Sequence, residues 1–560
     1  MRNILRGRML MLVVIFFSCN TSRKAINPTI VNADNLRRHI QFLADDKLEG
    51  RRTGSPGEKL AMEYISGQFQ RNGLSPKGEN GFYQAFEVYD GKVIGDSTWF
   101  YINGHKLVAG KDFYPLAYSA NKKLEAQPSI SIQEADVPWF FDLKEVLEEN
   151  KTNTRFDLPD YVKKNVGKAK EKGASAIILY NTSPIKDKLS FEAKDRSATL
   201  GIPVVYISNE IAGQYLKDAS ASLDIKLNIA LIEKRRTGHN VIGYMDNGAA
   251  ETIVLGAHFD HLGMGEDGNS RHINNDPIIH NGADDNASGT AALMELSRML
   301  RQSTLKGHNY LFIAFSGEEL GLFGSKYFTE HPTIDLKTVD YMINMDMVGR
   351  LNDSSRVLTI GGYGTSPEWS KFIGNEYFEN ATAVKKKIPS LVIRIDSSGT
   401  GPSDHTSFYR KDIPVLFYFT GLHTDYHKPS DDADKINYNG ERVVLTHIMK
   451  LIRDLDKQPR LAFTKTRETT ITGSRAFSVS MGIMPDYTYS GTGVRADGIS
   501  DGKPAQKAGL KAGDVILQVG DFSISSLDNY MQALGKFVKG EKALVKFKRG
   551  EKLMEVTVEF

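Results

Sequence analysis

Residues 252–263 read TIVLGAHFDHLG, and residues 281–301 read NGADDNASGTAALMELSRMLR. The first stretch opens with an apolar run at 252–257, short enough for a buried strand, and His258 and Asp260 follow at its end. The second is a glycine-flanked acidic turn that runs into a segment with Ala292, Leu293, Leu296, Met299 and Leu300 on one helical face. Further short apolar runs follow at 309–315, 339–345, 356–360, 391–395 and 414–419, with helical segments between several of them. Strands alternating with helices predict an α/β fold, a mostly parallel mixed sheet sandwiched by helices. Such sheets bind their ligands at strand ends.

Five strings carry the chemistry: GAHFDHLG (256–263), NGADDNASG (281–289), FSGEELG (315–321), INMDMVG (343–349) and DYHKPSDD (425–432). They offer His258, Asp284, Glu319, Asp346 and His427. Two imidazoles and three carboxylates are the donor types that a pair of zinc-like ions needs, with one carboxylate shared. Glu318 is left over to handle protons. His258 and Asp260 stand two apart at a strand end and point to one face, so Asp260 can accept the proton of the other ring nitrogen and orient the ring. Glu318 and Glu319 are adjacent and diverge, one toward metal and one toward water.

Taken in order, the five strings resemble the co-catalytic zinc exopeptidases of the M28 type, the aminopeptidase Y-like metallopeptidases, over roughly residues 30–460. The resemblance implies the zinc exopeptidase fold and two Zn²⁺ per chain. It puts His258 and Asp346 on one ion, Glu319 and His427 on the other, and Asp284 on both, with a cis peptide between Asp284 and Asp285. It makes Glu318 the general base that forms a metal-bound hydroxide and later the general acid. Tyr426 becomes an oxyanion donor and Asp431 the partner of His427. His423 and Asp425 compete for the last ligand position, where the pattern Y-H-x-P-x-D favours His427. The segment GTGPSDHTSF (399–408) resembles the loop beside the family's site, and Ser403, Asp404 and His405 read as shaping the substrate pocket. The implied activity is zinc-dependent hydrolysis of peptide bonds, with aminopeptidase action foremost. The alternatives are a glutaminyl cyclase-like acyltransferase on the same fold, which uses one zinc, and a non-catalytic peptide-binding scaffold.

A chain of 560 residues is too long for one core. The expected divisions are a signal segment at 1–19, the N-terminal part of a peptidase domain at 26–118, an insertion at 119–236, the peptidase domain with its metal site at 237–460, and a last domain at 475–560. Residues 33–75 read as two amphipathic helices, the second with Leu60, Ala61, Tyr64, Ile65 and Phe69 at helical spacing and Gly73 at its end. Within the insertion, β-prone runs at 128–132, 176–180 and 203–208 accompany a Lys-rich helix, and GASAIILYN with GIPVVYIS resembles a protease-associated domain. At the C-terminal end, FSVSMGIMP (477–485) and GKPAQKAGLKAGDVILQVGD (502–521) resemble a PDZ domain, with Gly509 and Gly513 at a turn before a strand at 515–519. Such domains add an extended peptide as a strand and hold its carboxylate on backbone N–H groups, here near Met481, Gly482 and Ile483. Every ligand candidate precedes residue 430, so this domain is expected to recruit longer peptides and to leave small substrates to the rest of the chain.

Lysine and arginine total 71 against 68 acids, a formal net charge of +3, which gives no global case for nucleic-acid binding. Peptide or protein substrates are the expected partners. Arg2, Arg6 and Arg8 precede an apolar run at 9–17 that suits a signal-peptide core. It ends at Ser18-Cys19, the only cysteine, and resembles a bacterial lipoprotein cleavage site. Export to the cell envelope with a lipid anchor on Cys19 is therefore expected, and the chain can form no internal disulfide.

Overall fold

The computed structural model describes residues 31–560 apart from 154–155, 188, 196, 273–275, 374–390, 467–478, 487–488, 490, 500–501 and 526. The expected signal segment and Cys19 lie outside the described residues.

The apolar runs become strands. Nine strands form the main sheet among the described residues: β1 (Ser75–Pro76), β2 (Tyr83–Ile94), β3 (Leu231–Met245), β4 (Thr252–His258), β5 (Asn309–Phe315), β6 (Val339–Met345), β7 (Val357–Gly361), β8 (Val392–Ile395) and β9 (Val415–Phe419). Their order is β1-β3-β5-β4-β6-β9-β7-β8, with β2 also on β3. The centre is parallel: β4 lies between β5 and β6, and β6 pairs with β9. β3 joins antiparallel to β5, and β7 antiparallel to β9, so the sheet is mixed. Every residue of β4, β5 and β6 is buried, as continuous apolar runs require when both faces are covered.

The two faces have different covers. Helices α1 (Ala33–Leu43), α2 (Pro56–Arg71), α3 (Gly289–Gln302) and α5 (Tyr438–Leu455) share one apolar cluster with Ile253, Leu255 and Ala257. Val254, alternating to the other face, packs with Phe328 of α4 (Phe323–Glu330) and with Phe408. α2 starts as a capped helix should: Ser55 accepts from the N–H of Glu58, and Pro56 occupies the first turn. Glu58 is itself buried, accepting from the N–H groups of Gly54 (2.8 Å) and His239 (3.1 Å) and from the Ser316 hydroxyl (2.5 Å). Ala61, Ile65 and Phe69 face inward as their spacing predicts, but Leu60 is 44 % exposed and stands outside that face.

Two smaller four-stranded sheets are built between residues 99 and 229, so they begin before the expected insertion at 119–236. One pairs Trp99–Ile102 with Ile225–Ile229 and the other runs Pro138–Asp142, Ala176–Tyr180 and Val204–Ile207 side by side in parallel. The run at 128–132 gives a single bridge, Ser129 to Ser222, and no strand. Lys194 reaches back to Asp267, which also accepts from Arg52 (2.8 Å) and Arg236 (3.0 Å), so an ionic knot ties the insertion to the sheet. The C-terminal sheet comprises β10 (Ile483–Pro485), β11 (Val494–Ile499), β12 (Val515–Val519), β13 (Phe522–Ser523), β14 (Lys542–Arg549) and β15 (Lys552–Glu559), with β10 at its edge and helix α6 (Leu527–Leu534) packed in the same core.

Burial lowers the pKa of His39 to about 4, of His405 to about 3 and of His447 to about 4. Folded values below the ordinary 6.5 mean that these rings stabilise the fold fully above pH 6.5 and lose that contribution as pH falls toward 4, at up to about 1.4 kcal/mol per ring per pH unit. Denaturant unfolding should therefore show a falling midpoint between pH 7 and pH 5, and His447→Gln should flatten the slope. An unchanged slope in that variant would remove His447 from the account.

Candidate metal centre

Because β5, β4 and β6 are neighbours and parallel, their C-terminal ends share one edge, with His258 level with Phe315 and Gly256 level with Asn344. His258 ends β4, the Glu318–Glu319 pair follows β5 by three and four residues, and Asp346 follows β6 directly. The loop before α3 brings Asp285, and the loop after β9 brings His427.

The carboxylate of Asp285 faces two ways. Its Oδ1 lies 3.4 Å from Nε2 of His258, which is also 3.3 Å from Asp346. Its Oδ2 lies 3.3 Å from Nε2 of His427, which is 3.1 Å from Glu319. Donors about 2.0–2.2 Å from one zinc ion at the tetrahedral angle stand about 3.3–3.6 Å apart, so both groups have the spacing of ligands around an ion. Nε2 of His258 is buried and has no hydrogen-bond partner. The donor set therefore fits a pair of divalent ions sharing Asp285. Glu318 stands farther off, 3.9 Å from His258.

Of the two aspartates it is Asp285, and not Asp284, whose carboxylate faces both donor sets. Oδ1 of Asp284 accepts from the Gly349 N–H (2.7 Å) and the Ser288 hydroxyl (3.0 Å), while Oδ2 faces His423 at 3.2 Å. The cis peptide is likewise one residue on, between Asp285 and Asn286. Asn286 ties the loop down by donating to the Met345 carbonyl (3.0 Å) and accepting from the N–H of Met347 (3.1 Å). Asp431 is not the partner of His427: its Oδ2 accepts from the N–H groups of Asp284 and Asp285, both at 3.0 Å, and Nδ1 of His427 is 3.0 Å from the Asn269 carbonyl. His423 falls to Asp284, and Asp425 pairs with Arg350 (3.2 Å) and Lys435 (2.8 Å). Nδ1 of His258 is 3.2 Å from the backbone carbonyl of Asp260 and 3.6 Å from its carboxylate, which instead accepts from the Thr53 hydroxyl (3.0 Å) and the Glu318 N–H (3.2 Å). Tyr426 stacks on His427 with ring centroids 3.9 Å apart.

Two supporting side chains, His261 and Arg51, escaped the sequence reading, and a third, Ser403, was read only as pocket wall. Nδ1 of His261 is 2.8 Å from Oε1 of Glu319. The Ser403 hydroxyl donates to Asp346 (2.8 Å) and accepts from Asn344 (2.8 Å). Arg51, wholly buried, donates to the carbonyls of Leu43, Phe259 (2.7 Å), Asn281 (2.7 Å) and Gly282 (3.0 Å), clamping the two ligand-bearing loops from behind. His261 carried a signal, a second histidine within GAHFDHLG; Arg51 and Ser403 sit in strings read as packing and as pocket wall.

The electrostatics follow from crowding. Burial works against the charge on His258 and His427, yet Asp346 and Glu318 hold His258 well above 6.5, and Glu319 with Asp285 raises His427 to about 11. Burial would raise Asp285, but its contacts with the two imidazoles hold it well below the usual carboxylate range. Glu319 falls to about 2, against burial and the repulsion of Asp285, through His427 and His261. Glu318 goes the other way: burial, reinforced by Asp346 and Glu319, pushes it well above 4.5. Burial and the nearby acids likewise keep the Tyr426 hydroxyl protonated.

Among the described residues His261, Asp285 and Glu319 also stand close enough to share an ion, and a separate grouping, Glu251, His308 and Asp340, lies at the opposite strand ends. There His308 bonds Asp340 at 3.1 Å and Arg460 donates to the neighbouring Val339 carbonyl (2.7 Å), a knot of structural charge. In the C-terminal domain, the buried Met481 accepts from the Ala505 N–H (2.8 Å), Gly482 has φ +82° and Ile483 opens the edge strand β10.

Parts of the chain are similar to known proteins. Residues 240–455 match the family model for peptidase family M28, and residues 479–560 match that for a PDZ domain. The chain is 28% identical over 296 residues to aminopeptidase YwaD of Bacillus subtilis, a match covering 51% of this chain and 57% of that protein. It is 29% identical over 202 residues to leupeptin-inactivating enzyme 1 of Streptomyces exfoliatus, covering 36% of this chain and 39% of that protein. Among solved structures, the aminopeptidase from Aneurinibacillus sp. strain AM-1 superposes with a TM-score of 0.41 at 22% identity, over 79% of this chain and 97% of its own.

The one-residue correction is open to measurement. Asp285→Asn should bind zinc far more weakly, because it weakens a donor to both groups, whereas Asp284→Asn should retain the wild-type metal content by elemental analysis after dialysis. The reverse pattern would return the bridge to Asp284.

Proposed function

We propose that this chain, whose residues 240–455 form a domain of peptidase family M28, is a zinc-dependent metallopeptidase that removes residues from the free N-terminus of peptides. The observation that carries the reading is Asp285, one carboxylate directed at two donor sets, with Glu318 beside them and outside both. Two ions per chain are part of the proposal: the three donor carboxylates Asp285, Glu319 and Asp346 would offset most of the +4 of two Zn²⁺. When bound, the ions would polarise the scissile carbonyl and make a water molecule acidic enough to attack at neutral pH.

The chain's own residues then account for orientation and proton traffic. Glu318 is held by its backbone, donating its N–H to Asp260 (3.2 Å) while its carbonyl accepts from Gly321 (2.8 Å) and Leu322 (3.0 Å). Its carboxylate, made basic by burial and by Asp346 and Glu319, takes the proton of the attacking water and returns it to the leaving amine. Tyr426, kept protonated, can donate to the oxyanion that develops on the carbonyl. His261 and Ser403 fix Glu319 and Asp346 in place. The density of carboxylates favours a substrate that brings a cation, the free α-amine. A single-zinc acyltransferase would have no use for an Asp285 directed at two sites.

Glu318→Gln is expected to keep its zinc and lose about 10²- to 10⁴-fold in kcat. Wild-type turnover in that variant would end the assignment of the proton to Glu318. The aminopeptidase mode is tested with paired peptides: hydrolysis of a free tetrapeptide but not of its N-acetylated form is expected. Equal cleavage of both would point to an endopeptidase, and cyclisation of an N-terminal glutamine without chain cleavage to an acyltransferase.

A further inference from the structure

Helix α4 begins four residues after Glu319 and is continuous with the acid pair. The N–H groups of Gly321 and Leu322 donate to the Glu318 carbonyl at 2.8 and 3.0 Å, and the Lys326 N–H donates to Leu322 at 3.0 Å. The same helix bonds the segment that holds Asp346: the Ser325 and Ser407 hydroxyls are 2.9 Å apart, four residues beyond Ser403. α4 therefore touches both sides of the metal centre from outside.

Its outer face meets the PDZ domain. Nζ of Lys326 lies 2.5 Å from Oδ1 of Asp486, the residue that follows β10. Nε of Arg495 holds the other oxygen of Asp486 at 2.6 Å, and the Asp486 N–H donates to the Arg495 carbonyl at 2.8 Å. The Asp486 side chain is 3% exposed and that of Lys326 19%, so solvent screens the pair little. Phe86, Phe323 and Tyr327 line the groove beneath Arg495. β10 is an edge strand of the PDZ sheet, the position where an extended peptide adds as a further strand. A sequence reading makes the PDZ domain a separate recruiter, but here the end of its peptide-accepting strand is joined by one shielded ion pair to the helix behind the catalytic acid.

We propose that the Lys326–Asp486 pair couples the PDZ groove to the metal centre, so that a peptide with a free C-terminal carboxylate added along β10 alters turnover at Glu318. Strand addition fixes the backbone of β10 up to Pro485, and Asp486 then passes any shift to α4. Displacements well under 1 Å matter at Glu318, since misplacement of about 1 Å can cost about 10²-fold. The catalytic arm of the proposal rests on the aminopeptidase reading above.

The test uses the full chain loaded with zinc, leucine p-nitroanilide as reporter, and an N-acetylated octapeptide ending in free valine as effector, with its C-terminal amide as control. The blocked N-terminus keeps the effector from being a substrate. Saturating effector should change kcat/KM by about fivefold or more, as coupled sites typically do, and the amide should not. Lys326→Met should bind the labelled effector with unchanged affinity in the zinc-free protein yet abolish its effect on turnover, and Lys326→Arg should restore it. A second readout is independent of turnover: zinc loading should shift effector affinity by fluorescence anisotropy in the wild type and not in Lys326→Met, because coupling is reciprocal. An effector that binds without altering kcat/KM, one that does not bind, or an effect that survives in Lys326→Met would overturn the proposal. If leucine p-nitroanilide and the free tetrapeptide are not hydrolysed at all, the aminopeptidase reading fails, and the zinc-dependent shift in affinity still decides the coupling.

Discussion

A carboxylate that faces two donor sets cannot be oriented by one neighbour, and much of the domain around the main sheet can be understood from what Asp285 demands. Its backbone N–H is held by Asp431, its loop by Asn286 through the carbonyl and N–H beyond β6, and its two oxygens face imidazoles from opposite ends of the domain. Behind it, Arg51 collects four carbonyls from the turn before α1 ends, from β4's exit and from the loop that carries Asp285. Burying an arginine is costly, and burial here lowers its pKa to about 10 even with Asp260 and Asp285 near. The fold accepts that cost because no smaller group could satisfy four converging carbonyls while also bringing a positive charge to the rear of an acidic centre.

The strands were legible because a buried parallel strand has no polar face to disguise it. β5 and β6 occupy the residues that their apolar runs mark, and β4 extends its run only to His258. The second amphipathic helix was legible through Ala61, Ile65 and Phe69, though Leu60 lies off their stripe and is exposed. In the insertion, the apolar core strands 176–180 and 204–207 were visible, while the run at 128–132 had the composition of a strand but no neighbouring chain to pair with beyond one bridge.

The site was legible where a strand end fixes direction and blurred where a loop does. His258 is the last residue of β4, whose alternation sets which way its ring leaves, and the Glu318–Glu319 pair stands in the turn that directly follows β5. Asp284 and Asp285 sit in an irregular turn between a left-handed Gly282 and the first residue of α3, where no period of two or of 3.6 applies, and the resemblance landed one residue short. Arg51 was invisible for another reason. Its partners are backbone carbonyls, which every residue has, so nothing in their identity announces the contact.

The donors facing Asp285 come from residues 258 to 427, and the clamp behind them from residue 51. A chain still emerging from the ribosome lacks His427 until most of the domain has been made. A chain severed inside this span keeps its centre only as long as the pieces stay folded together. Assembly of the donor set is thereby tied to completion of the fold: a half-made or unravelling copy does not bring these side chains together.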